Sequence, residues 1–368
     1  MRICVIIARF SISGVPLAQA RLAQALADRG HDVDLVIGYV KPGISLPKLS
    51  NVKVIHFDRA NIRWIFLPIL HYLHERQPDI IFSAEDHLNI AVLTCLIVSF
   101  SKAKFSGSSR VTPYDTYSNK LLSKRWFLKI LARLTMWRAD VLTCVSIDMV
   151  RQYRNVFGNS KHVCVYNIVD NQENRRRMNE SIDINDVVTG AGPFVVAAGQ
   201  LERWKGFKDL IDAMAIVAER KDSKLIIFGE GSQREELQEL IVKHGLRDRV
   251  VLPGNVANTL KYFAKANVFV LSSYVEGMPN VLVEAMMCGC TPVATDCPTG
   301  PRELLADGKF GYLAAVGNPR SIADAIEAGL DSPIAPNLLA EAVLPFREGV
   351  VVARHFQLLG IDAECPRV

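Results

Sequence analysis

Short apolar runs and longer stretches with apolar residues at helical spacing alternate along the chain. Residues 3–8 form a run of buried-strand length, and 17–29 follow with a period near 3.6 and close on Gly30. The runs at 34–37 and 52–57 read as strands. Residues 65–75 read as a helix ending before Pro78, and 79–83 as the next strand. Further strands fit 104–108, 141–145 and 162–166. Short β-rich runs alternating with helices predict an α/β fold with a parallel, doubly wound sheet.

The rhythm stops at 170–192, which is polar, charged, poor in aromatics and carries Arg175, Arg176 and Arg177 in succession. That composition predicts an interdomain linker with room for local helix. Alternation then resumes, with strands at 194–198, 224–229, 250–252, 268–272 and 292–295. Helical patterns occupy 207–220, 234–244, 260–264 and 281–288, and a last one covers 345–359. A chain of 368 residues exceeds the roughly 250–300 at which single cores stop growing, so two domains are expected. Their expected bounds are 1–170 and 193–344, with a linker at 171–192 and a helix and tail at 345–368. Two such domains in series predict a cleft between them, and ligands in such sheets bind beyond the carboxyl ends of the strands. The loops that follow strands are therefore where the chemistry is expected.

Composition narrows the class. A hydrophobic fraction of 49% with 22% charged residues is that of an ordered, soluble globular protein. The apolar run at 88–100 is broken by Asn89, Thr94 and Ser99 and falls short of the roughly 20 residues of a membrane span. The first residues read as a strand rather than a signal peptide. A cytoplasmic protein is expected, free or peripheral on the inner membrane face. The eight cysteines are scattered, most of them inside apolar runs. Cys288, Cys290 and Cys297 lack the second Cys or His pair of a zinc site, so buried thiols are expected.

The net charge of +5 hides an asymmetry. Residues 1–170 hold 22 Lys and Arg against 12 Asp and Glu, or +10, which leaves 21 against 26, or −5, for the remainder. A basic first half predicts an anionic partner, either membrane lipid or a phosphate-bearing acceptor. No nucleic-acid recognition motif accompanies it. Residues 118–138 read as one helix in which Lys120, Lys124, Arg125, Lys129, Arg133 and Arg138 interleave with Leu121, Leu122, Trp126, Phe127, Leu131, Leu134 and Trp137. Such a helix can lie on anionic lipid, although a domain helix with a solvated basic face has the same pattern.

The densest chemistry lies at 272–286, where a strand ends, a loop carries Glu276, Gly277 and Pro279, and a helix begins near Asn280. A helix start offers free N–H groups and a positive dipole end, which suit a diphosphate. Glu276 in the loop and Glu284 one turn into the helix can each accept hydrogen bonds from hydroxyls. A helix with an acid placed to favour its dipole is the plainer alternative.

This segment resembles the E-x7-E motif of the retaining GT-B glycosyltransferases of family 4, the group 1 glycosyl transferases. Gly277, Pro279, Asn280, Glu284, Ala285 and Met286 match along with Glu276. The resemblance extends to Gly199-Gln200-Leu201-Glu202-Arg203-Trp204-Lys205-Gly206 (G-R-L-x-x-x-K-G in the family), to Gly229-Glu230-Gly231, to Gly289 through Val293 and to Gly300 through Glu303. It covers nearly all of 190–330. In the first half it is confined to Ser13-Gly14 and to 22–33.

The resemblance implies two Rossmann-like domains facing a deep cleft, with the C-terminal helix crossing back to the first. It implies that Lys205 binds the donor phosphates, that Glu276 holds donor-sugar hydroxyls and that Glu284 holds the ribose. Gly14, Gly229, Gly277, Met278, Pro279, Asn280 and Val281 are the implied donor contacts. Gln200 stands where the family usually has Arg, and Arg203 in the same loop is the candidate to supply the missing charge. No metal and no cofactor beyond the nucleotide-sugar co-substrate are implied. On the acceptor side the loops carry Arg9, the Glu85-Asp86-His87 stretch and Arg110, the last near a position where many relatives have His.

The expected activity is retaining transfer of a hexose or N-acetylhexosamine from a nucleotide sugar, a UDP sugar first, to a glycan or lipid-linked acceptor. Surface polysaccharide biosynthesis, of lipopolysaccharide or exopolysaccharide, is the expected setting. A nucleotide-sugar epimerase of the same fold and a donor-binding, non-catalytic subunit stay open. An oxidoreductase is disfavoured, because no G-x-G-x-x-G follows the first strand.

Overall fold

The computed structural model describes residues 1–11, 14–158, 161–182 and 192–361. The chain divides into two compact units. The first holds Met1–Ile168 and the chain from Glu348 onward, and the second holds Val169–Arg347.

Among the described residues the first unit contains seven strands: β1 Arg2–Phe10, β2 Asp32–Val40, β3 Val52–His56, β4 Ile80–Ala84, β5 Lys104–Ser109, β6 Val141–Cys144 and β7 His162–Cys164. They pair in parallel in the order β3-β2-β1-β4-β5-β6-β7. β1 is buried along nearly its whole length, as expected of a parallel strand covered on both faces. Its core joins Ile3, Val5 and Leu35 to Leu26 of the helix Gly14–Ala27 and to Val351, Val352 and Phe356 of the helix Glu348–Leu358.

One charged residue interrupts the apolar pattern of β2. Asp34 is fully buried and accepts both Arg76 bonds, Nε and Nη2, at 2.9 Å, plus the Tyr72 hydroxyl at 2.8 Å. A buried carboxylate without such partners would be strongly destabilising. With them it fastens the helix Phe66–Arg76 to the sheet. That helix ends on Gln77 in the left-handed region, just before Pro78.

The second unit contains β8 Phe194–Ala198, β9 Lys224–Phe228, β10 Val250–Gly254, β11 Val268–Leu271, β12 Thr291–Thr295 and β13 Tyr312–Ala314, in the parallel order β10-β9-β8-β11-β12-β13. In both sheets the chain winds outward in one direction and then resumes on the other side of its first strand. The reversal falls between β1 and β4 in the first unit and between β8 and β11 in the second. Ligand crevices of doubly wound sheets form at such switch points.

Several expectations are corrected. The stretch 171–192 does hold local helix, Gln172–Met178, and that helix groups with the second unit. The Asn171 side chain accepts from the Asn174 N–H at 2.8 Å, and Arg175 pairs with Asp170. Residues 183–191 lie outside the described residues. The helix expected over 118–138 spans only Lys124–Thr135, followed by a 3₁₀ turn at Met136–Arg138. Leu122 has φ 60°, and the Ser123 hydroxyl accepts from the Trp126 N–H at 3.1 Å, so the helix cannot begin earlier. The apolar run at 88–100 is largely the helix Asp86–Val98. The last helix begins at Glu348, after a 3₁₀ turn at Leu344–Phe346. β13 and the helices Pro319–Asp331 and Pro336–Val343 escape the apolar pattern. Among the described residues the cysteines are free thiols, all buried except the half-buried Cys164. No described helix is long and apolar enough to cross a membrane.

Two histidines of the first unit are buried without full hydrogen bonding. Neither ring nitrogen of His162 has a partner among the described residues, and its ring lies 4.5 Å from that of Tyr153. Nδ1 of His355 is equally unpartnered, and its ring packs edge-on against Phe82. Burial, with nearby Arg154 and Arg110 respectively, pushes the two down to about 4 and about 3 from an ordinary 6.5. The unfolded chain therefore takes up protons as pH falls through 6.5, while the folded unit does not until near 4 and 3. Stability falls over that window and is independent of these groups above it. Urea midpoints of the protein should drop between pH 6.5 and 4. His162→Phe should flatten the slope by up to about 1.4 kcal/mol per pH unit. An unchanged slope would show that His162 is protonated in the folded state.

Candidate functional site

The loops after β8 and β11 meet at the second switch point, and backbone contacts hold them there. Leu201 is fully buried in the core under its loop, a burial that contributes about 1.5–3 kcal/mol. Its N–H donates to the Glu230 carbonyl at 2.9 Å, and its carbonyl accepts from Gln233 at 2.9 Å. The Glu202 carboxylate accepts from the Ser232 N–H at 3.1 Å and from its hydroxyl at 2.7 Å. Arg203–Lys205 then make a 3₁₀ turn that ends on Gly206 in the left-handed region, φ 66°, where the helix Phe207–Ala218 begins. A Cβ at Gly206 would lie 2.0 Å from the Ser272 carbonyl oxygen, so only glycine fits. The Ser272 hydroxyl donates to the Lys205 carbonyl at 2.8 Å, and the Tyr274 N–H donates to the Trp204 carbonyl at 2.8 Å.

These contacts bring Lys205 and Glu276 together. Lys205 Nζ lies 2.6 Å from Glu276 Oε1, and both side chains are largely buried. The Ser273 hydroxyl donates to the same oxygen at 2.6 Å. The Glu276 backbone is fixed as well: its N–H donates to the Pro298 carbonyl at 3.3 Å, and the Thr299 hydroxyl donates to its carbonyl. Burial, and the charge of Glu276, push the neighbouring Cys297 thiol up to about 11. An ammonium carries three donors, so the bond to Glu276 leaves two for an incoming anion.

The helix Asn280–Met287 begins immediately after this loop. Its N-cap is Pro279, which offers no side-chain bond, and no acid stands in its first turn. The positive end of its dipole is therefore uncompensated by its own sequence. Met278 and Pro279 are buried, while Gly277, Asn280, Val281 and Glu284 are half-buried. Glu284 stands four residues after Asn280, on the same face of the helix. Gly300, φ 97°, lets the loop after β12 close on Pro279, whose Cδ would lie 2.8 Å from an added Cβ.

The other expected residues are placed differently. Gly229 has φ 139°, and its Cβ would strike the Gly199 carbonyl oxygen at 1.9 Å, so loop packing itself requires glycine there. Gln200 is exposed. Arg203 is not brought to the ion pair. It lines a hollow with Trp204, Asp209 and Tyr274, and neither Lys205 nor Glu276 lines that hollow. This placement gives no support to Arg203 as a substitute for the charge absent at Gln200.

In the first unit Gly14 opens the helix Gly14–Ala27, and an added Cβ would meet nothing within 4 Å, so the described fold does not itself demand glycine there. Ser13 lies outside the described residues. Arg9, expected in a loop, is within β1, and its Nε and Nη2 donate to the Ala60 carbonyl at 3.2 and 2.8 Å. Glu85 follows β4 with φ 79°, and its Oε2 lies 3.2 Å from Nε2 of His87. Asp86 between them is buried rather than presented to ligand, and it accepts from the Ser109 hydroxyl at 2.6 Å and from the Tyr153 hydroxyl. Arg110 donates to Asn167, and burial pushes its guanidinium down to about 10. The sequence places Asp86 with Glu85 and His87 in an acceptor-side loop, because a buried and a solvated loop carboxylate look alike in one dimension.

Two family models match the chain. Glycosyl transferases group 1 matches residues 169–343, and glycosyltransferase family 4 matches residues 12–173. A Campylobacter jejuni N-acetylgalactosamine-N,N'-diacetylbacillosaminyl-diphospho-undecaprenol 4-alpha-N-acetylgalactosaminyltransferase is 33% identical over 205 residues, 55% of this chain and 54% of that protein. An uncharacterized glycosyltransferase of Methanocaldococcus jannaschii is 30% identical over 268 residues, 67% of this chain and 65% of that protein. The chain thus spans between about half and two thirds of the length of these relatives. Among solved structures, Anabaena HepE in complex with UDP and glucose shares the fold, with a TM-score of 0.72 at 19% identity over 98% of this chain and 99% of that one. With two family models together running from residue 12 to residue 343 and two parallel α/β units beneath them, the chain belongs to the group 1, family 4 glycosyltransferases of GT-B fold.

Proposed function

We propose that the protein transfers a hexose or N-acetylhexosamine from a UDP sugar to a glycan or lipid-linked acceptor, with retention at the anomeric carbon. The observation that carries this reading is the Lys205–Glu276 pair at the β8/β11 switch point, beside a helix start with no acid in its first turn. Cleavage of a sugar–phosphate bond builds negative charge on the departing diphosphate, and fixed donors aimed at it lower the barrier most. Lys205 is the cation for that charge, supported by the helix N-terminus. Glu276, fixed at backbone and side chain, accepts from donor-sugar hydroxyls, and Glu284 accepts from the ribose. The UDP held by the Anabaena neighbour and the diphospho-undecaprenol in the Campylobacter relative's name favour this donor and this acceptor class.

A membrane surface extends the proposal. Phe127, Leu131 and Leu134, spaced four and three apart on the helix Lys124–Thr135, are exposed, as are Leu121, Leu122 and Trp137. Lys124, Arg125 and Arg133 are exposed on the same helix, and no acid occurs from 118 to 138. An exposed apolar stripe among cations fits an anionic lipid surface, where a lipid-linked acceptor resides.

A screen of nucleotide sugars, read as release of nucleoside diphosphate, tests the activity. Lys205→Met should lower kcat by on the order of 10²–10³-fold while melting as a folded protein. If Arg203→Ala lost as much, the charge absent at Gln200 would belong to Arg203. Nucleotide binding without turnover of any donor would instead favour a donor-binding subunit. NMR of the first product should show the donor's anomeric configuration, and an inverted product would remove the retaining assignment.

Flotation with phosphatidylglycerol vesicles at low salt should carry the protein upward. Leu131→Glu with Leu134→Glu should abolish this, and 1 M salt should weaken it. Wild-type protein left at the bottom of the gradient would exclude the lipid surface.

A further inference from the structure

The hollow that holds Arg203 has a composition of its own. Arg203, Trp204, Asp209, Gln233, Glu236 and Tyr274 line it, it opens to solvent, and its volume of about 480 Å³ falls within the roughly 300–1,000 Å³ of small-molecule sites. Trp204 is 46% exposed and Tyr274 42%. The Tyr274 ring is mounted firmly, and the Trp204 backbone is tied to it. The Trp204 carbonyl takes the Tyr274 N–H at 2.8 Å, and the Tyr274 hydroxyl donates to Asp209 Oδ2 at 2.5 Å. The Tyr274 ring also rests over Gly317, where an added Cβ would stand 3.3 Å from it. Rigid aromatics offer contact area at little entropic cost. The exposure of Tyr274 is held by these contacts, and Trp204 stands on the 3₁₀ turn Arg203–Lys205.

The polar rim decides what such rings can receive. Gln233 Nε2 donates to Glu236 Oε2 at 3.1 Å, and Lys208 Nζ lies 3.9 Å from Glu236 Oε1. The Arg203 guanidinium makes no hydrogen bond or ion pair among the described residues. Two carboxylates face two cations, so the hollow favours neither an anion nor a cation. Its matching ligand is neutral, has an apolar C–H face for the negative π-faces of the rings, and carries hydroxyls that both donate and accept. A saccharide ring meets all three conditions.

Trp204 and Tyr274 adjoin Lys205 and Glu276 along the chain, yet neither member of that pair, nor Glu284, lines the hollow. We propose that this hollow is a subsite for a neutral saccharide, separate from the nucleotide-sugar site, and that it holds a unit of the acceptor glycan. The second clause rests on the transferase reading above, and the first does not.

Maltopentaose and chitopentaose, titrated into the full chain, test it by tryptophan fluorescence and saturation-transfer NMR. At least one should bind saturably with Kd on the order of 1 mM, equally well when the protein is saturated with UDP. Trp204→Ala and Tyr274→Ala should weaken binding at least about tenfold, and Trp204→Phe should restore most of it. Matched melting temperatures keep folding out of the comparison. Absence of saturable binding up to about 20 mM, binding that survives Trp204→Ala, or displacement by UDP overturns the proposal. Donor turnover is measured on the same protein. Its absence alongside intact saccharide binding removes the transferase reading and leaves the subsite, and the reverse outcome removes the subsite alone.

Discussion

The close contact between Gly206 and the Ser272 carbonyl is the constraint on which the second unit's chemistry depends. Two loops that leave neighbouring strands of a parallel sheet have no ladder to hold them together once the strands end. Here a left-handed glycine lets one backbone lie directly on the other, and the Ser272 hydroxyl and the Tyr274 N–H tie the two at the carbonyls of Lys205 and Trp204. Any Cβ at 206 would separate them. Lys205 would then lose Glu276, because a 2.6 Å ion pair tolerates little displacement. The same lacing sets Trp204 beside Tyr274, so the ion pair and the aromatic hollow share one mechanical origin.

The first unit relies on a different device. It carries buried carboxylates surrounded by hydrogen-bond donors, and at Asp86 burial outweighs those donors and raises the carboxyl's pKa. Asp34 is held by Arg76 and Tyr72, and Asp86 by Ser109 and Tyr153. These anchors join elements distant in the chain, and Asp86 does so beside the β1/β4 switch point. Glu85, strained at φ 79°, is thereby held in the loop above it. His162 and His355 are the exceptions, buried neutral with unpartnered nitrogens, so acid is the condition under which this unit weakens.

Much of this was legible in one dimension. Parallel strands buried on both faces are continuous apolar runs, so β1, β2, β8 and β9 stood out. The strand–loop–helix from Ser272 onward was visible because Gly277, Pro279 and two acids punctuate it. β13 is only three residues long and gives no periodic signal. The helix Pro319–Asp331 carries a signal in Asn318 as cap and Pro319 at its first position, but no apolar run marks it. The helix at Gln172–Met178 buries only Asn174 within its span, so its sequence is indistinguishable from a linker.

The sequence by itself determined the α/β class, the two-unit plan and the family, and it named Lys205, Glu276 and Glu284 as expected donor contacts. The class and the plan follow from residue types and spacings, which local physics converts directly into strands, turns and helix starts, whereas the family and the expected contacts follow from the motif resemblance. Tertiary structure alone decided which of these groups meet. Arg203 and Lys205 are two residues apart in one loop, yet a 3₁₀ turn sends one to an open hollow and the other to Glu276, 71 positions away. Asp86 and Glu85 are adjacent, yet one is buried among hydroxyls and the other faces His87. Side-chain direction at the end of a strand depends on what the neighbouring loop presents, and that neighbour is set by sheet order, which no local pattern encodes.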